Sequence, residues 1–302
     1  MAGTLVTIVG PTAIGKTHLA IVLAKHFNTE ILSADSRQFY KEMTIGTAVP
    51  PEDMLADVPH HFIQHKSILD DYNVGDFERD ALKTLENLFK AQDVVVMAGG
   101  SGLYVDAVTR GLDYFPEVDE DIREHLNQSY AKGGIKILQK KLGQLDPDYY
   151  EKVDLANPRR IIRALGVCLA SGKPYSSFLN KRQVKRPFNS ITLGLTADRT
   201  VLYDRINKRV DLMMEQGLLA EVRALVQHQD RNALQTVGYK ELFKYLSGNW
   251  ELEFAVREIK KNTRRYAKRQ ITWLKKNTDM HWIPYNTAKE GVIQHVKRQL
   301  KP

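Results

Sequence analysis

Leu5-Val6-Thr7-Ile8-Val9-Gly10-Pro11-Thr12-Ala13-Ile14-Gly15-Lys16-Thr17 stands near the start of the chain and decides the fold class. The β-branched run that ends in glycine reads as a buried strand. The octet Gly10 to Thr17 fits G-x-x-x-x-G-K-[ST], and behind it Leu19, Ala20, Leu23, Ala24 and Phe27 recur at helical spacing. Strand, glycine loop and helix in that order make a phosphate cradle. The glycines let successive backbone N–H groups turn toward an anion at a helix N-terminus, Lys16 adds a point charge, and Thr17 can ligate magnesium. Gly10, Thr12, Ala13, Ile14, Gly15, Lys16 and Thr17 are therefore the candidate phosphate contacts. Nucleotide binding, ATP included, is the ordinary use of such a loop.

Working outward, Glu30-Ile31-Leu32-Ser33-Ala34 reads as a second strand that delivers Asp35 at its carboxyl end, where ligands of open parallel sheets bind. A third run, Asp93 to Ala98, ends in Gly99-Gly100-Ser101-Gly102, without the acid with which a nucleotide hydrolase organises magnesium. Further strand-like runs are His61-Phe62-Ile63, Ser190 to Leu195 and His281-Trp282-Ile283, while Phe77 to Phe89 and Val201 to Met214 have helical spacing. Alternating signals of this kind predict an α/β fold, a parallel sheet flanked by helices. Between Phe115 and Pro187 the strand signals stop. Breakers at Gly133-Gly134, Asp146-Pro147, Asn157-Pro158 and Gly172-Lys173-Pro174 punctuate a helical, polar pattern. The expected organisation is a core of residues 1–115 and 188–302 interrupted by a helical insertion, 116–187.

The chain's 302 residues, with 43% hydrophobic and 26% charged, can bury a sizeable core, which excludes a disordered or repetitive chain. No apolar run approaches the ~18 residues of a membrane span and no signal peptide opens the sequence, so a cytoplasmic protein is expected. Its one cysteine, Cys168, excludes an internal disulfide and a cysteine zinc cluster. The net charge of +8 is concentrated: from Arg257 to Lys276, nine Lys/Arg face one acid, Glu258, a surplus equal to that of the whole chain. Either a polyanion contact or a solvated basic helix explains it. Arg257, Lys261, Arg265 and Arg269 form one helical row and Lys260, Arg264 and Lys268 a second, together one cationic face. Tyr266 and Trp273 fall with Ile259 and Gln270 on the opposite stripe and read as core.

Asn157 and Pro158 look like a helix start, yet Arg159, Arg160 and Arg163 crowd its positive end, a conflict that an anion or nearby acids would relieve. Arg205 and Arg209 stand one turn apart on a helix, and either could reach a diphosphate or pair with Asp204 or Asp211. His60, His61 and His65 lack the companion ligands of a zinc site.

The chain resembles the bacterial tRNA dimethylallyltransferases (tRNA isopentenyltransferases). The stretches that carry the likeness are GPTAIGKT (10–17), SADSRQFY (33–40), IGTAVP (45–50), VPHHF (58–62), AGGSGLY (98–104), NPRRIIRAL (157–165), LYDRINKRVDLMMEQGLLAEV (202–222), TVGYKE (236–241) and RYAKRQITWL (265–274), in family order. Ser101 departs from the family's usual threonine but keeps the hydroxyl, and Arg159 stands where glutamine is common. The architecture expected from the resemblance is the bacterial form, without a zinc-finger extension after the last stretch.

The resemblance implies a P-loop NTPase-like core and transfer of a dimethylallyl group from dimethylallyl diphosphate to the N6 amine of the adenosine 3′-adjacent to the anticodon, with magnesium on Thr17. Asp35 would act as general base, with Arg209 and Ser101 as further catalytic residues, and the P-loop would hold the diphosphate leaving group. Asp35, Ser36, Arg37, Gln38, Ser101, Arg123, Arg159, Arg160, Arg163, Gly238, Lys240, Arg264 and Lys268 are its implied tRNA contacts. The partners expected are the tRNA anticodon stem-loop and dimethylallyl diphosphate, bound by a monomer, with no membrane. A P-loop small-molecule kinase is the alternative, separated by ATP consumption.

Overall fold

The sheet is built in chain order from β1 (Thr4–Val9), β2 (Ile31–Ser33), β3 (His60–His61), β4 (Val94–Gly99), β5 (Asn189–Thr196) and β6 (His281–Pro284) in a computed structural model that describes residues 3–179 and 184–300. Every pairing is parallel, in the spatial order β3-β2-β4-β1-β5-β6. Helices α1 (Lys16–Phe27), α2 (Glu52–Asp57), α3 (Val74–Leu88) and α4 (Gly102–Arg110) accompany the first four strands. Helices α5 (Glu120–Leu145), α6 (Pro147–Tyr150) and α7 (Pro158–Ser171) come next. After β5 run α8 (Arg199–Glu215), α9 (Leu218–Ala224), α10 (Tyr239–Leu246) and α11 (Leu252–Leu274), and α12 (Lys289–Leu300) follows β6. This is a P-loop NTPase-like α/β core.

Period-two alternation explains how both faces of the sheet are covered. Leu5 and Val9 of β1, with Val95 and Met97 of β4, pack into the cluster that includes Phe39, Phe77, Tyr239 and Ile259. Val6 and Ile8 point the other way, into the cluster of α1, α8 and α12 with Leu23, Ile206 and Val296. Central β1 is buried throughout, so its carboxyl end opens into the interior of the site.

The chain divides into two units, residues 1–110 with 186–302, and 111–185. Both boundaries lie a few residues from those expected at 115/116 and 187/188. Gly111, at φ 85°, ends α4, and the Arg186 guanidinium pairs with Glu78 and donates to the Ala107 carbonyl, which fastens that residue to the larger unit. The smaller unit has its own core of Leu126, Leu138, Leu142, Ile161 and Leu165. Within it, the Asp146 carboxylate is buried as a cap, accepting from the Tyr149 N–H at 3.0 Å and from the Ser176 N–H and hydroxyl at 2.6 and 2.8 Å. Gly134, at φ 67°, breaks α5.

Strand β3 is shorter than the His61-Phe62-Ile63 run expected, because Phe62 and Gln64 take positive φ values of 65° and 48° and turn the backbone out of the sheet. No helix among the described residues is long and apolar enough to cross a membrane.

Candidate active site

The carboxyl ends of β1, β2 and β4 converge on one site. The loop after β1 turns through Ala13 (φ 64°) and Gly15 (φ 108°) before entering α1, the left-handed steps that a phosphate nest requires. Lys16 Nζ donates to the Pro11 carbonyl at 3.0 Å. Burial holds the Lys16 ammonium down to about 8, against the opposing pull of the Asp35 carboxylate. Arg209 of α8 points inward, its Nη1 3.4 Å from Thr12 Oγ1, and burial pulls its pKa below the usual guanidinium range while Asp35 again opposes. Arg205, one turn earlier, is held differently: its Nε donates at 2.8 Å to the carbonyl of Ala13 in the loop backbone, and its guanidinium lies over the Tyr285 ring. The structure therefore separates the two arginines that spacing left equivalent.

Asp35 follows β2, and its Oδ1 accepts from the Arg37 N–H at 3.1 Å. Its neighbours in the motif are committed to holding loops. The Ser36 N–H donates to Ser101 Oγ at 3.0 Å, and the Ser101 hydroxyl donates to Ser36 Oγ at 3.1 Å. Arg37 Nη1 donates to the carbonyls of Asn232 and Ala233, both at 2.9 Å. Gln38 is buried, with Nε2 donating to the carbonyls of Thr47 and Ala48 at 3.2 and 3.0 Å.

The glycines at the end of β4 and after it are seats for other groups. A Cβ on Gly99 would lie 2.2 Å from the Ala34 carbonyl oxygen, and one on Gly102 would lie 2.2 Å from the Trp273 ring. Close approach, not conformational freedom, explains the Gly-Gly-Ser-Gly run, and it leaves no room there for an acidic strand end.

Two cavities meet at these residues. The larger, ≈ 570 Å³, is lined by Ser36, Arg37, Gly238, Lys240 and Arg269 among others. The smaller, ≈ 70 Å³, lies over Lys16 and Thr17 and has an apolar wall of Ala20, Ile31, Pro50, Ile63 and Ala98. Thr12, Asp35, Thr47, Arg209 and Tyr266 line both. Tyr266 is therefore a wall of the site and not the core residue its helical stripe suggested. Burial and the Asp35 charge push its hydroxyl up to about 12, so it stays protonated beside Ser101. Trp273 also leaves the core stripe: it is 37% exposed, and its Nε1 donates to Asp106 at 2.9 Å. Sequence reasoning also missed Glu221, whose carboxylate accepts the N–H groups of Thr44, Ile45 and Gly46 and the Tyr239 hydroxyl. Its place in the LYDRINKRVDLMMEQGLLAEV stretch was the available signal.

Gly238, at φ 97°, starts α10, its N–H donating to Glu241 at 2.8 Å, and Tyr239 behind it is fully buried. Lys240 is exposed at the cavity rim.

The basic residues of α11 do not form one free cationic face. Lys260 pairs with Asp211, Lys261 with Glu258, and Arg264 Nη1 donates to Asn207 Oδ1 at 2.7 Å. The row of Lys260 and Arg264 is turned against α8, while Arg265, Lys268 and Arg269 are exposed. In the smaller unit, Arg123, Arg159, Arg160 and Arg163 are exposed, and among the described residues none of them forms an ion pair. Arg163 lies over the Phe115 ring. The Asn157 side chain caps Arg160 N–H at 3.3 Å, so the cations do sit at a capped helix start.

The histidines have separate surroundings. His60 Nδ1 lies 2.7 Å from the Val58 carbonyl, and His61 Nε2 lies 2.6 Å from Glu30. His65 packs edge-on to Phe39, Phe62 and Tyr72, and burial lowers its pKa to about 4. Among the described residues, no group of three or more His, Cys, Asp or Glu could hold a metal.

The model of the family described as IPP transferase matches residues 38–277. A protein of Christiangramia forsetii named tRNA dimethylallyltransferase is 55% identical over 300 residues, 99% of each chain. The solved structure of the full-length tRNA isopentenylpyrophosphate transferase of Bacillus halodurans superposes with a TM-score of 0.73 at 37% identity, covering 98% of this chain and 95% of that one. That of the Staphylococcus epidermidis tRNA delta(2)-isopentenylpyrophosphate transferase gives 0.71 at 32% identity, covering 99% and 98%.

Proposed function

The chain belongs to the IPP transferase family of tRNA dimethylallyltransferases, and from that premise we propose how its residues carry out the transfer. The enzyme prenylates tRNA with dimethylallyl diphosphate as co-substrate. The acceptor we propose is the N6 amine of the adenosine 3′-adjacent to the anticodon. That amine is a poor nucleophile, its lone pair delocalised into the ring, and it acidifies only as it attacks. The target base leaves the anticodon-loop stack and enters the larger cavity from the side of Gly238 and Lys240. The dimethylallyl chain lies in the smaller cavity against Ile31, Pro50 and Ile63.

As the N6–C1 bond forms, the C1–O bond to diphosphate breaks and Asp35 takes the amine proton. Charge that grows on the departing diphosphate is met by the P-loop amides, Lys16 and Arg209. The single observation that carries this reading is Asp35, among the described residues the one carboxylate that lines both cavities, with Lys16 and Arg209 beside it. Magnesium fits the donor set. A hydroxyl at Thr17 facing substrate phosphate suits an ion that keeps most of its water, and Thr17 would hold it. Such an ion neutralises charge on the leaving group.

Ser36, Arg37, Gln38 and Ser101 shape the mouth that the base enters, through the loops they hold. Arg123, Arg159, Arg160 and Arg163, together with Lys268, contact stem and loop phosphates, in keeping with guanidiniums and an ammonium that no acid among the described residues pairs with. Every residue of the two cavities comes from the larger unit of one chain, so a monomer suffices, working in the cytoplasm where its acceptor is found. Mass spectrometry of nucleosides tests the assignment, after an anticodon stem-loop RNA has been incubated with enzyme, dimethylallyl diphosphate and magnesium. N6-dimethylallyladenosine is expected without ATP. A phosphorylated product that requires ATP would return the kinase reading.

A further inference from the structure

Gln270 sits in the last turns of α11 with 7% of its surface exposed, and the transfer chemistry leaves it unused. A buried amide is costly unless both of its ends are hydrogen-bonded. Here both are. Oε1 accepts from the Thr12 N–H and Nε2 donates to the Gly100 carbonyl, each at 2.9 Å. The two partners are backbone groups of different loops, one after β1 and one after β4. Thr12 in turn places its hydroxyl 3.4 Å from Arg209 Nη1. Gly100 lies so close that a Cβ there would be 2.4 Å from Gln270 Nε2 and 3.5 Å from Lys16 Nζ. One side chain thus joins the segments on which both buried cations of the site rest.

We infer that Gln270 is a positioning residue for the leaving group: by fixing the Thr12 amide and the Gly100 carbonyl together, it holds the diphosphate cradle in its binding geometry before the donor arrives. The inference rests on the reading of the P-loop as a diphosphate holder. It commits the Thr12 N–H to Gln270, so that amide is not among those that face the diphosphate. It also requires a side chain that accepts on one branch and donates on the other. Glutamate accepts on both when ionised and sets a carboxylate against the Gly100 carbonyl. Protonated, it has one donor and one acceptor and can replace the amide. Leucine fills the space and makes neither bond.

The test compares Gln270→Glu and Gln270→Leu with the wild-type enzyme, by calorimetric affinity for inorganic diphosphate with magnesium, by kcat and KM for donor and for tRNA, and by thermal midpoint. Both variants are expected to weaken diphosphate binding and raise the donor KM by about tenfold or more, the order of leaving one buried backbone group unpaired, with tRNA KM within about twofold. The Gln270→Glu defect, taken as a ratio to wild type at the same pH, should shrink from pH 8 to pH 6 as the buried carboxyl protonates. A role in stability alone would lower the thermal midpoint and the active fraction but leave diphosphate affinity, donor KM and that pH ratio unmoved, which overturns the inference. Should Gln270→Leu fail to fold, the near-isosteric Gln270→Glu decides by its pH ratio. Wild-type protein that binds no diphosphate would overturn the leaving-group reading and this inference together. Wild-type binding that the variants retain overturns this inference alone.

Discussion

Lys16 is buried far enough that its ammonium titrates at about 8 in the free enzyme, although Asp35 supports the charged form. At pH 7 about nine-tenths of the molecules carry the charge, at pH 8 about half and at pH 9 about one-tenth. A diphosphate in the cradle favours the charged form and raises the pKa, so binding at pH 8 should take up ~0.5 proton per donor on this group. Donor affinity should fall about tenfold between pH 7 and pH 9. The assay is calorimetry of diphosphate binding in buffers of different ionisation enthalpy, with Lys16→Arg, which stays charged throughout, as the control for protons exchanged by the ligand itself. Asp35→Asn removes the charge that supports the ammonium, so the midpoint of the binding profile should move below 8. The sign for stability is opposite to that for binding. The native pKa lies below the unfolded value of 10.5, so the unfolded chain keeps its proton longer and the unliganded fold gains stability as pH rises from about 8 toward 10.5. Wild-type and Lys16→Arg enzymes with the same proton uptake at pH 8, and affinity flat to pH 9, would refute this account of Lys16.

Arg209→Ala should lower kcat by about 10² to 10³, the loss seen when a preorganised partner of developing charge is removed. Arg205→Ala loses its bond to the Ala13 carbonyl and its contact with the Tyr285 ring and should cost much less; the reverse ranking in single-turnover assays would move the leaving-group role to Arg205. Lys268→Gln should reduce the slope of log tRNA affinity against log salt by somewhat under ~1 unit, while Arg264→Gln, which loses Asn207, should lower the thermal midpoint and leave that slope nearly unchanged. The triple change of Arg159, Arg160 and Arg163 to glutamine should weaken all substrate tRNAs about equally and leave donor KM alone; a preserved salt slope would count against phosphate contact by that helix.

The sheet was legible because its signals are local: β-branched runs ended by turn residues, and a glycine loop with a helix behind it. Asp35 was legible for the same reason, since a strand end fixes where its side chain must go. What sequence could not show depends on partners far along the chain. Arg205 and Arg209 share one helix and one spacing, and only the positions of Ala13 and Thr12 tell them apart. Tyr266 and Gln270 fall on an apolar stripe, yet the cavity takes the first and two loop backbones take the second. The cationic rows of α11 looked continuous because charge counting cannot see Asp211 and Asn207, which sit on α8 and engage Lys260 and Arg264. The glycines at the end of β4 and after it read as a missing acid, and their reason is steric: Ala34, Gln270 and Trp273 occupy the space.

The central claim is that one site divides its work, with the P-loop holding the leaving group and Asp35 serving the nucleophile. Rapid-quench single turnover at saturating tRNA and donor, read beside donor affinity, tests it on Asp35→Asn at pH 6.5, where Lys16 is largely charged in the wild-type enzyme. The expected result is a rate of prenyl transfer lower by about 10² to 10⁴ with diphosphate affinity within a few-fold of wild type. Near-wild-type transfer, or loss of diphosphate binding as the only defect, would contradict it.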